Sequence, residues 1–187
     1  MSNETTETKS SRQAAEDLVA AVDTGSRNVP GAVGQFIALG ALAWSLFQLW
    51  IASPLPFMLA DFIPLMNNTQ TRPIHLCFAV VLAFLSYPAL KSSPRRSVPL
   101  TDWLFAAVSA VCILYLVVEA DDLAGRMGIP TTADIVTAGF GLVLLLEATR
   151  RSLGIPLMAV ALVFLAYIFF GQYGPDVIAW KGASFEK

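Results

Sequence analysis

Residues 134–157, DIVTAGFGLVLLLEATRRSLGIPL, decide how this chain is organised. The segment is apolar over residues 135–146, then reaches Glu147, two adjacent arginines and a Gly-Ile-Pro break before a second apolar run begins. Apolar stretches of about 20 residues cross a bilayer as helices, and basic residues collect in the turns on the cytoplasmic side. The segment therefore predicts two membrane-spanning helices joined by a short basic turn.

The composition of the whole chain agrees with a membrane protein. Of its 187 residues, 56% are hydrophobic and only 14% are charged, whereas soluble domains carry roughly 25% charged residues. The net charge of -2 comes without any block of basic residues that could follow a nucleic-acid backbone, so we expect no nucleic-acid partner. Cys77 and Cys112 each lie within an apolar run, which predicts buried thiols and no disulfide framework or zinc site.

Five apolar segments predict an all-α integral membrane protein. The predicted spans are residues 33–52, 74–90, 103–118, 135–149 and 155–170. Prolines at positions 54, 56, 64 and 73 interrupt the chain after the first span, so residues 57–66 predict a short interfacial or re-entrant segment. Thr101 is a predicted N-cap for the third span, and Thr131 with Asp134 predicts a capping box for the fourth.

The chain divides into a tail, a membrane domain and a second tail. Residues 1–30 predict a cytoplasmic tail in which residues 13–22 form an amphipathic helix, lying either on the membrane surface or against other protein. Residues 31–170 are the transmembrane domain, and residues 171–187 are the C-terminal tail. Eight of the twelve lysines and arginines lie in the N-terminal tail and in the turns after the second and fourth spans. This bias predicts a cytoplasmic N-terminus and, after five crossings, a periplasmic C-terminus.

Few residues in the spans could carry chemistry. No ionisable group stands in the central turns of a predicted span, although a proton relay or ion site within the membrane needs such groups. The position of Glu147 favours a local ion pair with Arg150 and Arg151. The alternatives are a pair with another subunit, or a lipid-facing basic patch built with the two arginines. His75 is the only histidine, which favours an interfacial hydrogen bond over metal binding or catalysis.

A series of short motifs follows in a fixed order over about residues 72–182. These are Arg72-Pro73-Ile74-His75-Leu76, Tyr87-Pro88, Val98-Pro99-Leu100-Thr101-Asp102, Tyr115, Arg126-Met127-Gly128 with Pro130-Thr131, Asp134, Leu146-Glu147-Ala148, Arg150-Arg151-Ser152-Leu153-Gly154, Tyr167, Gly171, Pro175 and Lys181-Gly182. This order resembles the small membrane subunit of TAXI-type TRAP transporters, the tripartite ATP-independent periplasmic transporters. The resemblance implies a separate small subunit or the N-terminal part of a fused permease.

The resemblance also implies a function and partners. In this family a large permease subunit holds the substrate and sodium sites and moves as an elevator, while the small subunit braces its fixed scaffold. We therefore expect a non-catalytic subunit of a sodium-coupled organic-anion transporter in the bacterial inner membrane, with no cofactor of its own. The resemblance further implies a periplasmic TAXI binding protein that delivers the substrate. The alternatives are a stand-alone membrane enzyme or redox subunit, and a membrane assembly or sensor protein.

The expected contact residues follow from these implied partners. Asp121, Asp122 and Arg126, on the predicted periplasmic side, are candidates for docking the binding protein, although the acidic group formed with Glu119 also fits a solvated loop. The basic turns are candidates for fixing topology and contacting anionic lipid, through Arg95, Arg96, Arg150 and Arg151. Glu147 and His75 are candidates for helix pairing or a subunit interface.

Overall fold

A computed structural model describes residues 25–62, 65–90 and 92–173, and the regular elements in these ranges are helices. Four of them are long and apolar enough to cross a membrane, namely α1, α4, α6 and α7 with the turn that follows it. This confirms an all-α protein suited to a membrane. The helices are α1 (Gly31–Ala52), α2 (Leu55–Met58), α3 (Asn68–Ser86), α4 (Leu100–Val118), α5 (Ala120–Gly125), α6 (Thr132–Leu153) and α7 (Ile155–Phe170), followed by a 3-10 turn at Gly171–Tyr173. The predicted amphipathic helix at residues 13–22 and residues 174–187 of the predicted tail lie outside the described residues.

The predicted spans match the helices to different degrees. The span predicted at residues 155–170 coincides with α7, and α4 and α6 extend their predicted spans by several residues. The span predicted at residues 74–90 lies several residues too far along the sequence, because the observed helix α3 runs from Asn68 to Ser86. Its 19 residues correspond to a length of about 28 Å, close to the ~30 Å of a hydrocarbon core. Crossing of the membrane by α3 stays a prediction, since its first turns are polar.

Contrary to expectation, Pro73 does not interrupt α3, because a capping box stabilises the N-terminus of this helix before Pro73 is reached. The Asn67 side chain accepts a hydrogen bond from the Gln70 amide at 2.9 Å, and the Gln70 side chain accepts one from the Asn67 amide at 3.3 Å. This capping box satisfies amide groups that a helix start leaves open. Pro73 then lies inside the helix, where the loss of one backbone bond is tolerated.

The two caps predicted from the sequence had different outcomes. The capping box of α6 is confirmed, because Thr131 N donates to Asp134 Oδ2 at 2.8 Å and Asp134 N donates to Thr131 Oγ1 at 3.3 Å. The assignment of Thr101 as the N-cap of α4 was wrong. Pro99 occupies that position with an extended backbone, and Thr101 lies within the first turn.

The buried core is formed where α3 packs against α1, α4 and α6. The core residues are Val80, Ala83, Phe84 and Leu85 of α3, Ala106 and Ile113 of α4, and Leu144 and Ala148 of α6. In contrast, α1 and α7 contain no buried residue, although both are strongly apolar. Such faces would be unfavourable in water, at about 25 cal/mol per Å² of apolar surface, but they are solvated by lipid in a bilayer.

Two connections shape the bundle. Between α1 and α3, the four-residue α2 is too short to cross a membrane, and its Phe57 and Met58 are 73% and 72% exposed. Whether this segment lies in the interface or re-enters the bilayer stays a prediction. Between α6 and α7 a single residue, Gly154, makes the turn with a φ of 83°, a conformation that favours glycine.

Candidate functional site

A network of charged side chains, buried at its centre and partly exposed at its edge, joins four segments at one end of the bundle. We call it the arginine network, and its members are Arg27, Asp102, Glu147, Arg150 and Arg151. At its centre, Asp102 lies in the first turn of α4 and is 2% exposed. Its Oδ2 accepts a hydrogen bond from Arg27 Nη2, and its Oδ1 accepts one from Arg151 Nη1 at 2.8 Å. Two arginines from opposite ends of the sequence thus share one buried carboxylate.

Arg27 reaches the network from the extended segment that precedes α1. Its backbone amide donates to Ser86 O at 2.7 Å, which ties this segment to the end of α3. Its Nη1 donates to Phe84 O at 3.1 Å and to Leu85 O at 3.2 Å. In a helix, Phe84 O would bond the amide of residue 88, but Pro88 has no N–H. Arg27 therefore supplies a donor that the sequence of α3 itself cannot provide.

Arg151 continues the network along α6. Its guanidinium lies over the ring of Phe84, 4.9 Å from the centroid, and 5.7 Å from that of Phe105. Its Nε donates to Glu147 Oε1 at 2.7 Å, and Arg150 Nε donates to Glu147 Oε2 at 2.7 Å. The local pairing predicted for Glu147 is confirmed. Planar guanidinium groups suit such a site because they stack on aromatic rings while binding carboxylates.

A second network lies at the opposite end, where α4 ends and α6 begins. We call it the Arg126 network, and it comprises Tyr115, Glu119, Arg126 and Asp134. Arg126 donates to both carboxylate oxygens of Asp134, at 3.0 and 2.9 Å, and to Glu119 at 3.3 Å. The Tyr115 hydroxyl donates to Asp134 Oδ1 at 2.6 Å. The hydrogen bond to Asp134 raises the pKa of Arg126, so this guanidinium stays charged.

His75 belongs to neither network, and its side chain extends from α3 towards the second half of α1. Its Nδ1 accepts a hydrogen bond from Trp44 Nε1 at 3.1 Å, and its ring centroid lies 5.0 Å from that of Phe47. His75 thus forms a hydrogen bond, with an aromatic residue as the partner, while its position at the membrane interface stays a prediction.

The other predicted site residues are distributed over both ends. Asp121 and Asp122 are exposed in the first turn of α5, next to the Arg126 network. Arg95 and Arg96 are exposed in the turn before α4. Arg151 is only 3% exposed, so its guanidinium is not at the surface as a lipid contact requires. Lipid contact stays a prediction for Arg95, Arg96 and the partly exposed Arg150.

Sequence reasoning missed the two residues on which the arginine network depends. Arg27 was counted only among the positive charges of the N-terminal tail, and Asp102 appeared only as the last residue of a motif. The motif Val98-Pro99-Leu100-Thr101-Asp102 included Asp102, but it gave no indication that Arg27 is its partner. No local spacing rule connects residues 75 positions apart.

The arrangement holds helices together and keeps charges compensated. Each carboxylate of the two networks binds at least one arginine. Within the described ranges, no group of three or more His, Cys, Asp or Glu residues could hold a metal ion. Comparison with known proteins found no matching family model, no matching curated protein and no matching solved structure. The described chain is therefore defined as a helical membrane-type bundle closed at each end by ion pairs.

Proposed function

We propose that this protein is a small, non-catalytic membrane subunit that braces the scaffold of a larger permease, in a sodium-coupled TAXI-type TRAP transporter for organic anions. The observation that carries the proposal is the placement of the charges. The ion-paired residues of the described chain lie at or near helix ends. Their networks join α4 to α6 directly, and α3 through the bonds from Arg27 to Phe84 O and Leu85 O. A brace needs fixed helix positions, whereas a conducting path needs ionisable groups or broken helices at mid-membrane.

The exposed apolar helices support the same proposal. α1 and α7 flank the bundle and offer long faces without a buried residue. In a complex, lipid covers one part of these faces and the large subunit covers another. The order of motifs over residues 72–182 is the reason for choosing this transporter family rather than another.

Each partner then has its own contact region. The large permease subunit holds the sodium and substrate sites and contacts the bundle within the membrane plane. The periplasmic binding protein contacts the end that carries Asp121, Asp122 and Arg126. Anionic lipids of the bacterial inner membrane contact the opposite end, through Arg95, Arg96 and Arg150, which fixes a cytoplasmic N-terminus.

The proposal is tested by isolating the tagged chain from its native membranes in mild detergent. We expect a stoichiometric complex with one larger multi-span protein. The purified chain is then reconstituted alone into vesicles, with and without a sodium gradient, and uptake of organic anions is measured. We expect no uptake by the chain alone. Transport without a companion, or a stable chain that never binds a large subunit, would refute the proposal.

The alternative of a membrane enzyme needs clustered His, Cys or carboxylate groups facing a cavity, and convergence of His75, Glu147 and an acidic residue in one pocket would support it. In the described chain, His75 contacts Trp44 and Phe47, whereas Glu147 belongs to the arginine network. These two residues therefore have different neighbours and do not share one pocket in the described chain. Within the described residues, no specific observation favours an enzyme over a bracing subunit, and a membrane assembly or sensor protein stays the other alternative.

A further inference from the structure

We propose that the Trp44–His75 hydrogen bond is a pH-sensitive latch that holds α1 against α3, and that protonation of His75 releases it. The latch is independent of the transporter assignment, because it concerns two helices of this chain alone. Its basis is the direction of the hydrogen bond. Trp44 Nε1 is a donor only, and it points at His75 Nδ1 at 3.1 Å. The bond therefore requires an unprotonated Nδ1.

Protonation reverses the chemistry of that atom. In an imidazolium both ring nitrogens carry hydrogen, so Nδ1 becomes a donor facing another donor. Histidine is the side chain that ordinarily changes charge between pH 5 and pH 8. The indole and the imidazolium cannot keep their present arrangement, and one of the two rings must turn away.

The polar and aromatic contacts of His75 are the Trp44 hydrogen bond and the Phe47 ring, and no carboxylate is bonded to it in the described chain. α1 contains no ionisable residue along its length. On α3 itself, Arg72 stands one turn before His75, and its positive charge opposes a second one. Cys77, also on α3, is a neutral thiol, and the connection before α3 carries the exposed Asp61. On α4 and α6, which also pack against α3, the ionisable groups at this end are Tyr115, Glu119 and Asp134, which all bond to Arg126. The Phe47 ring can attract an imidazolium, but it replaces no hydrogen bond.

Loss of this bond has consequences for α1 because the helix has few other restraints. It has no buried residue, and its polar side-chain contact with α3 is this bond. The remaining contacts near the latch are aromatic, such as Phe47 with Phe78 at 6.0 Å between centroids. Opening at acidic pH would free the second half of α1, while Arg27 keeps its beginning fixed to the end of α3.

The test follows the indole N–H signals of the full chain by NMR in lipid nanodiscs between pH 8 and pH 5. Replacement of Trp44 by Phe assigns its signal, and Trp103 and Trp180, which lie outside α1, are internal controls. We expect the Trp44 signal to move with pH while the two control signals stay constant. In the variant His75→Gln, whose amide oxygen accepts the bond at any pH, we expect the movement to disappear. A Trp44 signal that is constant with pH, or that still moves in His75→Gln, would overturn the proposal.

A second measurement separates release of the bond from movement of the helix. Spin labels are placed on the exposed positions Leu46 of α1 and Leu114 of α4, after replacement of both native cysteines by alanine. We expect the distance distribution between the labels to broaden or shift at pH 5 relative to pH 8 in the otherwise native chain, but not in His75→Gln. An unchanged distribution would refute the release of α1.

Discussion

Replacement of Arg27 by methionine should be among the most damaging single changes in this bundle. The guanidinium donates four hydrogen bonds, to Phe84 O, Leu85 O, Pro94 O and Asp102. Methionine fills a similar volume but leaves these buried acceptors without their donor. Breaking a buried ion pair by removing one partner typically costs about 3–5 kcal/mol. Domains are stable by only about 5–15 kcal/mol, so we expect the free energy of unfolding to fall by about 3–5 kcal/mol.

The thiol of Cys112 provides the assay, because this cysteine is buried at 9% exposure. Thermal unfolding in detergent is followed by the reaction of exposed thiols with a fluorogenic maleimide. Arg96→Met is the matched control, since this arginine is exposed, and a surface change of this kind stays within about 0.5 kcal/mol. Arg27→Lys should fall between the two, because an ammonium retains the charge but cannot reach all four acceptors. If Arg27→Met unfolds like the Arg96→Met control, the role assigned to the arginine network is wrong.

Three further changes test other parts of the structure by the same thermal assay. Gly34→Ala should destabilise the start of α1, because its Cβ would lie 2.0 Å from the Val29 carbonyl oxygen, whereas Gly139→Ala meets no atom within 4 Å and should be harmless. Ser109→Ala should leave stability unchanged or raise it by about 1 kcal/mol, since the buried hydroxyl has no hydrogen-bond partner in the described chain; a clear loss would reveal a hidden partner. Asp134→Asn should lower the Tm, and because the Arg126 network is partly exposed, the loss should shrink as salt is raised.

Features set by neighbours in sequence could be predicted well. The capping box of Thr131 and Asp134 follows from a three-residue spacing, and the pairing of Glu147 with Arg150 and Arg151 follows from spacings of three and four on a helix. The extent of α7 followed from an uninterrupted apolar run. In the capping box and in the Glu147 pairs, one turn of helix brings the partners together, independently of the rest of the fold.

Features set by tertiary contacts could not be predicted in this way. Asp102 meets Arg27 across 75 positions and Arg151 across 49, and only the packed bundle brings these groups together. The start of α3 was misplaced because Pro73 was read as a stop signal, while the capping box at Asn67 has the larger effect. Burial of Arg151 could not be foreseen either, because Phe84 and Phe105, which cover its guanidinium, belong to other helices.

The single residue between α6 and α7 has a consequence for how the sequence can vary. An α-helix turns by about 100° per residue, so inserting or deleting one residue in the first turn of α7, directly after Gly154, would rotate the rest of α7 by that angle relative to α6. Side chains that now contact α6 would then point into lipid, and others would take their place. The number of residues between α6 and the apolar face of α7 is therefore as restrictive as the identity of a core residue.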